Sequence, residues 1–143
     1  MGKALGLARL AGEADEVPVG AILVMDGEII GQGYNQPISA QDPSAHAEII
    51  AIRAGARHLS NYRLPGSQLY STMEPCPMCA GAIVHARIKR LVYAARDEKW
   101  GACGSLFDIP GGEGLNHKLQ VQGGVMAEES AQLLRSFFKM RRG

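Results

Sequence analysis

The sequence predicts an α/β protein, a three-layer α/β/α sandwich around a central five-stranded mixed sheet. Three observations lead there. Apolar segments of strand length alternate along the chain with segments whose apolar residues recur at helical spacing. That alternation is the pattern of a mixed sheet covered by helices on both faces. The chain of 143 residues carries no Pro/Ser-rich linker, low-complexity tract or internal repeat, which fits one domain spanning 1–143 around a single core.

Residues 3–15 read as a helix, with Leu7, Leu10, Ala11 and Ala14 on one face. Residues 19–26 and 28–34 form two strands joined by Asp26-Gly27, a pair suited to the φ > 0 turn that hairpins prefer. Asp42-Pro43 reads as an N-cap followed by proline at the first helical position, opening a helix to about Arg57. Its stripe is Ala47, Ile50, Ala51 and Ala54, and Ile49 and Ile52 on the other side imply burial over much of its surface. A third strand (67–73), a second buried helix (77–87) and a fourth strand (89–95) follow. After Gly-rich loops come a short fifth strand (119–125) and a closing helix (127–142).

Composition narrows the function classes. Hydrophobic residues make 46% and charged residues 20% of the chain, as expected of a globular protein rather than a disordered one. The net charge of +1 gives no whole-chain signal for nucleic acid, so any such role must rest on local clustering. One cluster exists: from Arg135 onward there are four positive charges and no negative one. No apolar run approaches membrane-spanning length. The N-terminal stretch lacks a clean signal-peptide core because Arg9 interrupts it, and Gly6 stands where a myristoylation signal wants a hydroxyl. Three cysteines, an odd number, argue against a disulfide framework. The expected compartment is the cytoplasm.

The chemistry lies in two helix starts. His46 and Glu48 are two apart and would diverge on a helix flank, so they converge only if a site lies off the helix's N-terminal tip. Cys76 and Cys79, after Glu74-Pro75, share one face of their own first turn. Helix N-termini favour thiolates, the form that binds metal. One imidazole and two thiolates make three zinc ligands and leave the fourth tetrahedral position to water, the arrangement of a catalytic site. Glu48, a hard carboxylate beside soft donors, reads as the proton carrier.

Other readings compete. CPMC after a strand and opening a helix also suits a thiol–disulfide oxidoreductase, although the HAE start and the Glu-Pro lead-in favour metal. Cys103 would close the site as a fourth, structural ligand, but it lies in a Gly-rich loop with no second CxxC. His58, His85 and His117 read as packing or capping residues.

HAE followed about 30 residues later by PCxxC resembles the signature of the zinc-dependent cytidine deaminase superfamily. Within it the chain closely resembles the bacterial tRNA-specific adenosine deaminases, from EVPVGAILV nearly to the end. The pieces that carry this are DPSAHAEI, NYRL, EPCPMCAGAIVHARI, ARDEKWGACGS, GLNH and FFKMRR. The resemblance implies a cytidine-deaminase-like fold, one Zn²⁺ per chain on His46, Cys76 and Cys79, and Glu48 as general acid/base. It implies water attack at C6 of a wobble adenosine, giving inosine and ammonia, on a tRNA anticodon stem-loop and by a homodimer. By position it further implies that Asn35 helps hold the target nucleotide, that Pro18 and Val19 wall the pocket with Ala47 beside the ligand His, and that Asp97 and Lys99 meet flanking nucleotides.

Two departures stand out. Trp100 replaces a small hydroxyl residue of relatives and can stack on a loop base or cover core, and Cys103 replaces an alanine. Ser71 and Met73 depart too, as strand-packing changes. Phe137, Lys139, Arg141 and Arg142 suit RNA contact, aromatic planes beside positive charge, while Phe138 joins Leu134 and Ala131 on a core-facing stripe. A deaminase of a free base or nucleoside is the rival in the same fold, disfavoured by this basic aromatic end. A non-catalytic zinc-stabilised RNA-binding module is disfavoured by Glu48.

Overall fold

In the computed structural model, which describes residues 1–142, the elements run α1 (Gly2–Glu13), β1 (Gly20–Met25), β2 (Glu28–Tyr34), α2 (Ala47–Leu59), β3 (Gln68–Met73), α3 (Pro77–His85), β4 (Arg90–Ala95), β5 (Gln120–Gln122) and α4 (Ala127–Arg142). One five-stranded sheet has the order β2-β1-β3-β4-β5. β1 is antiparallel to both β2 and β3, whereas β3, β4 and β5 are parallel. This is the mixed sheet the sequence predicts. Asp26 and Gly27 have φ of 51° and 77°, so the hairpin closes through the left-handed pair its Asp-Gly sequence favours.

Helices cover both faces. α1 and α4 pack together on one side, α2 and α3 on the other. Close approach explains several glycines. A Cβ on Gly20 would collide with the α1 backbone at Ala4 and Ala8, and one on Gly31 or Gly33 with the α2 backbone at Ala51 or Ala47. The core between layers is aliphatic, with Leu23, Leu69, Ile83, Ile88 and Leu91 fully buried.

Strand direction then decides where a site can form. Gly20 pairs with Tyr34, Ala21 with Ser71, and Met73 with Ala95. The segments at Val19, Asn35, Met73–Cys76 and Ala95–Asp97 therefore all leave the sheet at one end. In open α/β sheets this end, outside the carboxyl ends of the parallel strands, is where ligands bind.

Three expectations need correction. α1 buries Ala4, Leu5, Ala8 and Ala11, so of the predicted face Ala11 is buried and Leu7 partly so, while Ala14 is exposed and Leu10 is 47% exposed. The tight contact at Gly20 is with the α1 backbone at Ala4 and Ala8, which turns that face toward the sheet. The helix predicted to begin at Pro43, behind an Asp42 N-cap, begins four residues later, at Ala47. The Asp42 carboxylate instead accepts the Ser44 N–H at 2.9 Å and its hydroxyl at 2.7 Å, closing a turn ahead of the helix. On α4 the buried residues are Ser130 and Leu134, Ala131 is partly buried, and Phe138 is 44% exposed, so Phe138 leaves the predicted core stripe. Phe137 is the more enclosed of the two rings, and the rings meet edge to face at 5.4 Å.

Candidate active site

The late start of α2 makes His46 its N-cap, with φ −75° and ψ 153°, and places Glu48 in the first turn. α3 is built the same way: Cys76 is the N-cap, φ −74° and ψ 174°, Pro77 fills the first turn, and Cys79 follows. Neither N-cap side chain caps its own helix. Histidine and cysteine are poor caps, and here both are left free to face each other. Asn35 takes over the capping of α2 from outside, its Oδ1 accepting the Ala47 N–H at 2.9 Å.

His46 Nδ1 lies 3.6 Å from Cys76 Sγ and 3.4 Å from Cys79 Sγ. Zinc at about 2.3 Å from sulfur and about 2.0 Å from nitrogen, in tetrahedral geometry, sets nitrogen and sulfur about 3.6 Å apart. The triangle thus has the size of one face of a zinc tetrahedron. Among the described residues these three are the group of metal-binding side chains whose ligand atoms converge, all within 4.8 Å. Cys103 is buried beside Tyr93 and Asp108 in a separate cavity, and its thiol is pushed up, chiefly by burial. Its Sγ is not among the converging ligand atoms, so it makes no fourth ligand. His117 Nε2 is spent on the Ile88 carbonyl at 2.7 Å.

Charge at the site follows from burial and proximity. The Cys76 thiol is drawn down to about 4, first by its hydrogen bond from Cys79 and then by His46, against the cost of burial. The hydrogen bond to Cys76 and burial push Cys79 upward, so the metal-free pair shares one proton. His46 is raised by its hydrogen bond to Cys76. Glu48, 4% exposed, is raised to about 7, burial being the largest cause and the Cys76 thiolate adding to it. A carboxyl with that value exchanges protons near neutrality.

These groups open into a cavity of about 640 Å³. Its apolar walls include Val17, Val19, Pro37, Pro43, Met73 and Met78, and Asn35, Asp97 and Trp100 stand at its edge. Of the predicted pocket residues, Pro18 is buried but does not line the cavity. The Val19 N–H donates to Val17 O at 2.8 Å, closing a tight turn with Pro18 at its tip, and Pro18 sits against Gly12 of α1 rather than in the cavity. Ala47 lies beneath the site, fully buried. Met73, predicted as mere strand packing, forms part of the wall. Asp97 Oδ1 accepts the Lys99 and Trp100 N–H groups at 3.0 and 3.2 Å, making the turn that presents Trp100, which is 64% exposed.

Lys99 points elsewhere. With Arg135, Lys139, Arg141 and Arg142 it lines a second, basic groove of about 680 Å³ along α4. Two of these cations are paired: Arg135 with Glu128 at 2.6 Å, and Arg141 with Asp15 at 2.7 Å, its guanidinium set over the Phe137 ring at 4.1 Å.

Two buried carboxylates that the sequence did not mark as functional support the walls. Glu16, 1% exposed, accepts the Ile38 N–H at 3.2 Å and the Ser39 N–H and hydroxyl at 2.7 and 2.9 Å, holding the loop that carries Pro37. Glu74, 3% exposed, does the same for the segment carrying Asp97 and Trp100. In sequence neither differs from an ordinary surface carboxylate. Only a partner loop 22 to 31 residues away reveals the burial.

Comparison with known proteins agrees with this geometry. The family model for the cytidine and deoxycytidylate deaminase zinc-binding region matches residues 1–95. A tRNA-specific adenosine deaminase of Haemophilus influenzae is 56% identical over 97% of this chain and 81% of its own. A solved structure from a study of A-to-I editing by tRNA:A34 deaminases at the wobble position of transfer RNA superposes with a TM-score of 0.89. It is 47% identical and covers 92% of this chain and 95% of its own. A guanine deaminase from Nitrosomonas europaea is more distant, 29% identical with a TM-score of 0.79 over 95% of this chain and 81% of its own. By its fold, its two helix starts and the extent of these matches, the chain belongs to the zinc-binding cytidine and deoxycytidylate deaminase family.

Proposed function

We propose that the chain is a zinc-dependent hydrolytic deaminase that converts adenosine to inosine at the wobble position of a tRNA anticodon. The observation that carries the chemistry is the three-donor triangle of His46, Cys76 and Cys79 beside the buried Glu48. The relatives that match over nearly the whole chain support the substrate, since those at higher identity are named for tRNA adenosine and the more distant one for guanine.

His46 Nδ1 and the thiolates of Cys76 and Cys79 would hold the zinc. When bound, the metal supplies Lewis acidity and lowers the pKa of a water from about 15.7 to about 7. Glu48 takes the proton released as water attacks C6 and passes it to N1 of adenine. It then carries the proton of the new C6 hydroxyl to N6 as the C6–N6 bond breaks, so ammonia leaves and C6 keeps its oxygen as a carbonyl. The apolar walls grip the purine faces and exclude bulk water. Asn35 has committed its oxygen to Ala47, which leaves its NH₂ as the donor toward the nucleotide.

Trp100 at the cavity edge offers a plane for a neighbouring base. The groove of Lys99, Lys139, Arg141 and Arg142, with Phe137 behind Arg141, offers charge to the loop backbone. Pro18 and Ala47 act from behind the wall rather than on the base. The reading includes a homodimer in the cytoplasm, acting through one domain over 1–143. The family resemblance supports it. Among the described residues no helix is long and apolar enough to cross a membrane.

Incubation of the zinc-loaded protein with an anticodon stem-loop, with free adenosine and with free guanine separates the readings. Inosine is expected in the stem-loop, strongly preferred over either small molecule, because loop contacts align the reacting atoms. Equal, salt-independent reaction of the free compounds would replace this proposal with a small-molecule deaminase.

A further inference from the structure

Glu74 is a buried carboxylate among the residues lining the cavity, and both its oxygens are used by one short segment. Oε1 accepts the Asp97 N–H at 3.1 Å and the Ser105 hydroxyl, while Oε2 accepts the N–H groups of Cys103 and Ser105, each at 3.0 Å. Four donors from residues 97–105 thus close on one side chain. Ser105 is itself held by Arg96, whose Nε donates to the same hydroxyl at 3.1 Å. The segment crosses so close above the carboxylate that a Cβ on Gly101 would collide with Glu74 and with the Asp97 carbonyl oxygen. The main chain completes the contact, Ala102 N–H donating to Pro75 O at 2.9 Å.

The ends of this arrangement matter. Glu74 stands two residues before Cys76, at the mouth of α3, and its own N–H is fixed to Ala95 O at 2.8 Å. At the other end the segment carries Asp97 and Trp100 to the cavity edge. Trp100 is largely exposed, so little packing of its own holds it there. Charge-assisted hydrogen bonds to a fully ionised, buried acceptor are the stronger kind, and here they converge on one group.

We propose that Glu74 is a positioning residue: it locks residues 97–105 into the cavity wall and so sets Asp97 and Trp100 against the metal-binding helix start. This rests on the deaminase reading for its kinetic arm but not for its structural one. The wall so held is a binding surface, so loosening it weakens substrate binding more than the chemical step.

Trp100 is the only tryptophan of the chain, and its fluorescence anisotropy reads the order of the wall directly. The test uses the zinc-loaded full chain and its Glu74→Gln and Ser105→Ala variants. Gln keeps the shape but presents an NH₂ group to the N–H donors, and Ser105→Ala removes one donor while leaving the carboxylate. For Glu74→Gln, anisotropy should fall and KM for the stem-loop should rise about tenfold, the equivalent of one charge-assisted hydrogen bond, with zinc retained and kcat within a factor of about 3. Ser105→Ala should move both readouts the same way, about twofold in KM. Wild-type anisotropy and KM in both variants would overturn the proposal. So would a fall in kcat at unchanged KM, which would place Glu74 in the chemistry. If Glu74→Gln fails to fold, Ser105→Ala decides, its wild-type values again overturning the claim. A wild-type chain that leaves the stem-loop unreacted would sink the deaminase reading alone, with anisotropy still testing the lock.

Discussion

His46 and Cys76 begin helices, and Lys139, Arg141 and Arg142 end one; both groups border the same side of the molecule. At the helix starts each side chain sits at an N-cap, its backbone extended and its direction set by the turn that follows. His46 Nδ1 lies within 3.6 Å of both thiols. At the α4 end the cations are long, exposed and spaced along a groove, with Arg135 paired to Glu128 and Arg141 to Asp15 and Phe137. The first region is built for chemistry that tolerates little displacement. The second adapts to a flexible, charged partner, and its contribution is spread over several weak contacts.

The largest effects should come from the first region. Replacing His46, Cys76 or Cys79 by Ala should lower zinc well below one per chain and remove activity, measured by metal analysis and inosine formation. Cys103→Ser should keep both, because its thiol faces a separate cavity. Zinc that survives loss of His46 and vanishes with Cys103 would erase the distinction between an open site and a closed one.

The second region should respond more gently. Deleting residues from Phe137 onward removes three of the groove's cations and should make the salt dependence of stem-loop binding shallower by about 2, at ~0.7 per single-strand phosphate contact. Zinc should remain. An unchanged slope would show that the basic end only caps its helix.

How much of this could be read in the sequence differs between the regions for a physical reason. Spacing tied His46 to Glu48 and Cys76 to Cys79, and local turn geometry does the rest, so the cluster was visible before the fold. The Asp26-Gly27 hairpin was equally local. What escaped depends on distant partners. Asp42-Pro43 looks like a helix start, but its carboxylate closes a turn with Ser44, and Asn35, twelve residues before Ala47, does the capping. α1 turned its alanines inward because Gly20, from β1, lets the helix approach. On α4 periodicity alone could not say which Phe packs, since both lie near the border of one stripe.

The smallest expected effect concerns the wall on the β2 side. Burial raises the Glu16 carboxyl, but hydrogen bonds from Ser39 and Ile38 outweigh it and leave its pKa below the ordinary carboxylate value. A depressed folded pKa stabilises the protein fully above the unfolded value, about 4.3, and that contribution disappears as pH falls through the folded value. Glu16→Gln should therefore flatten the acid limb of a urea-midpoint curve between about pH 5 and pH 3, while lowering stability at pH 7. An acid limb as steep as wild type would remove Glu16 from the support of that wall.

The central claim is that the two helix starts divide the work, three donors holding metal and Glu48 moving protons. One sample of Glu48→Ala tests it, with zinc content and inosine formation from the stem-loop measured side by side. The expected result is one zinc per chain in a folded protein whose deamination has fallen by at least ~10²–10⁴-fold. Full activity, or a loss of zinc equal to that of His46→Ala, would contradict it.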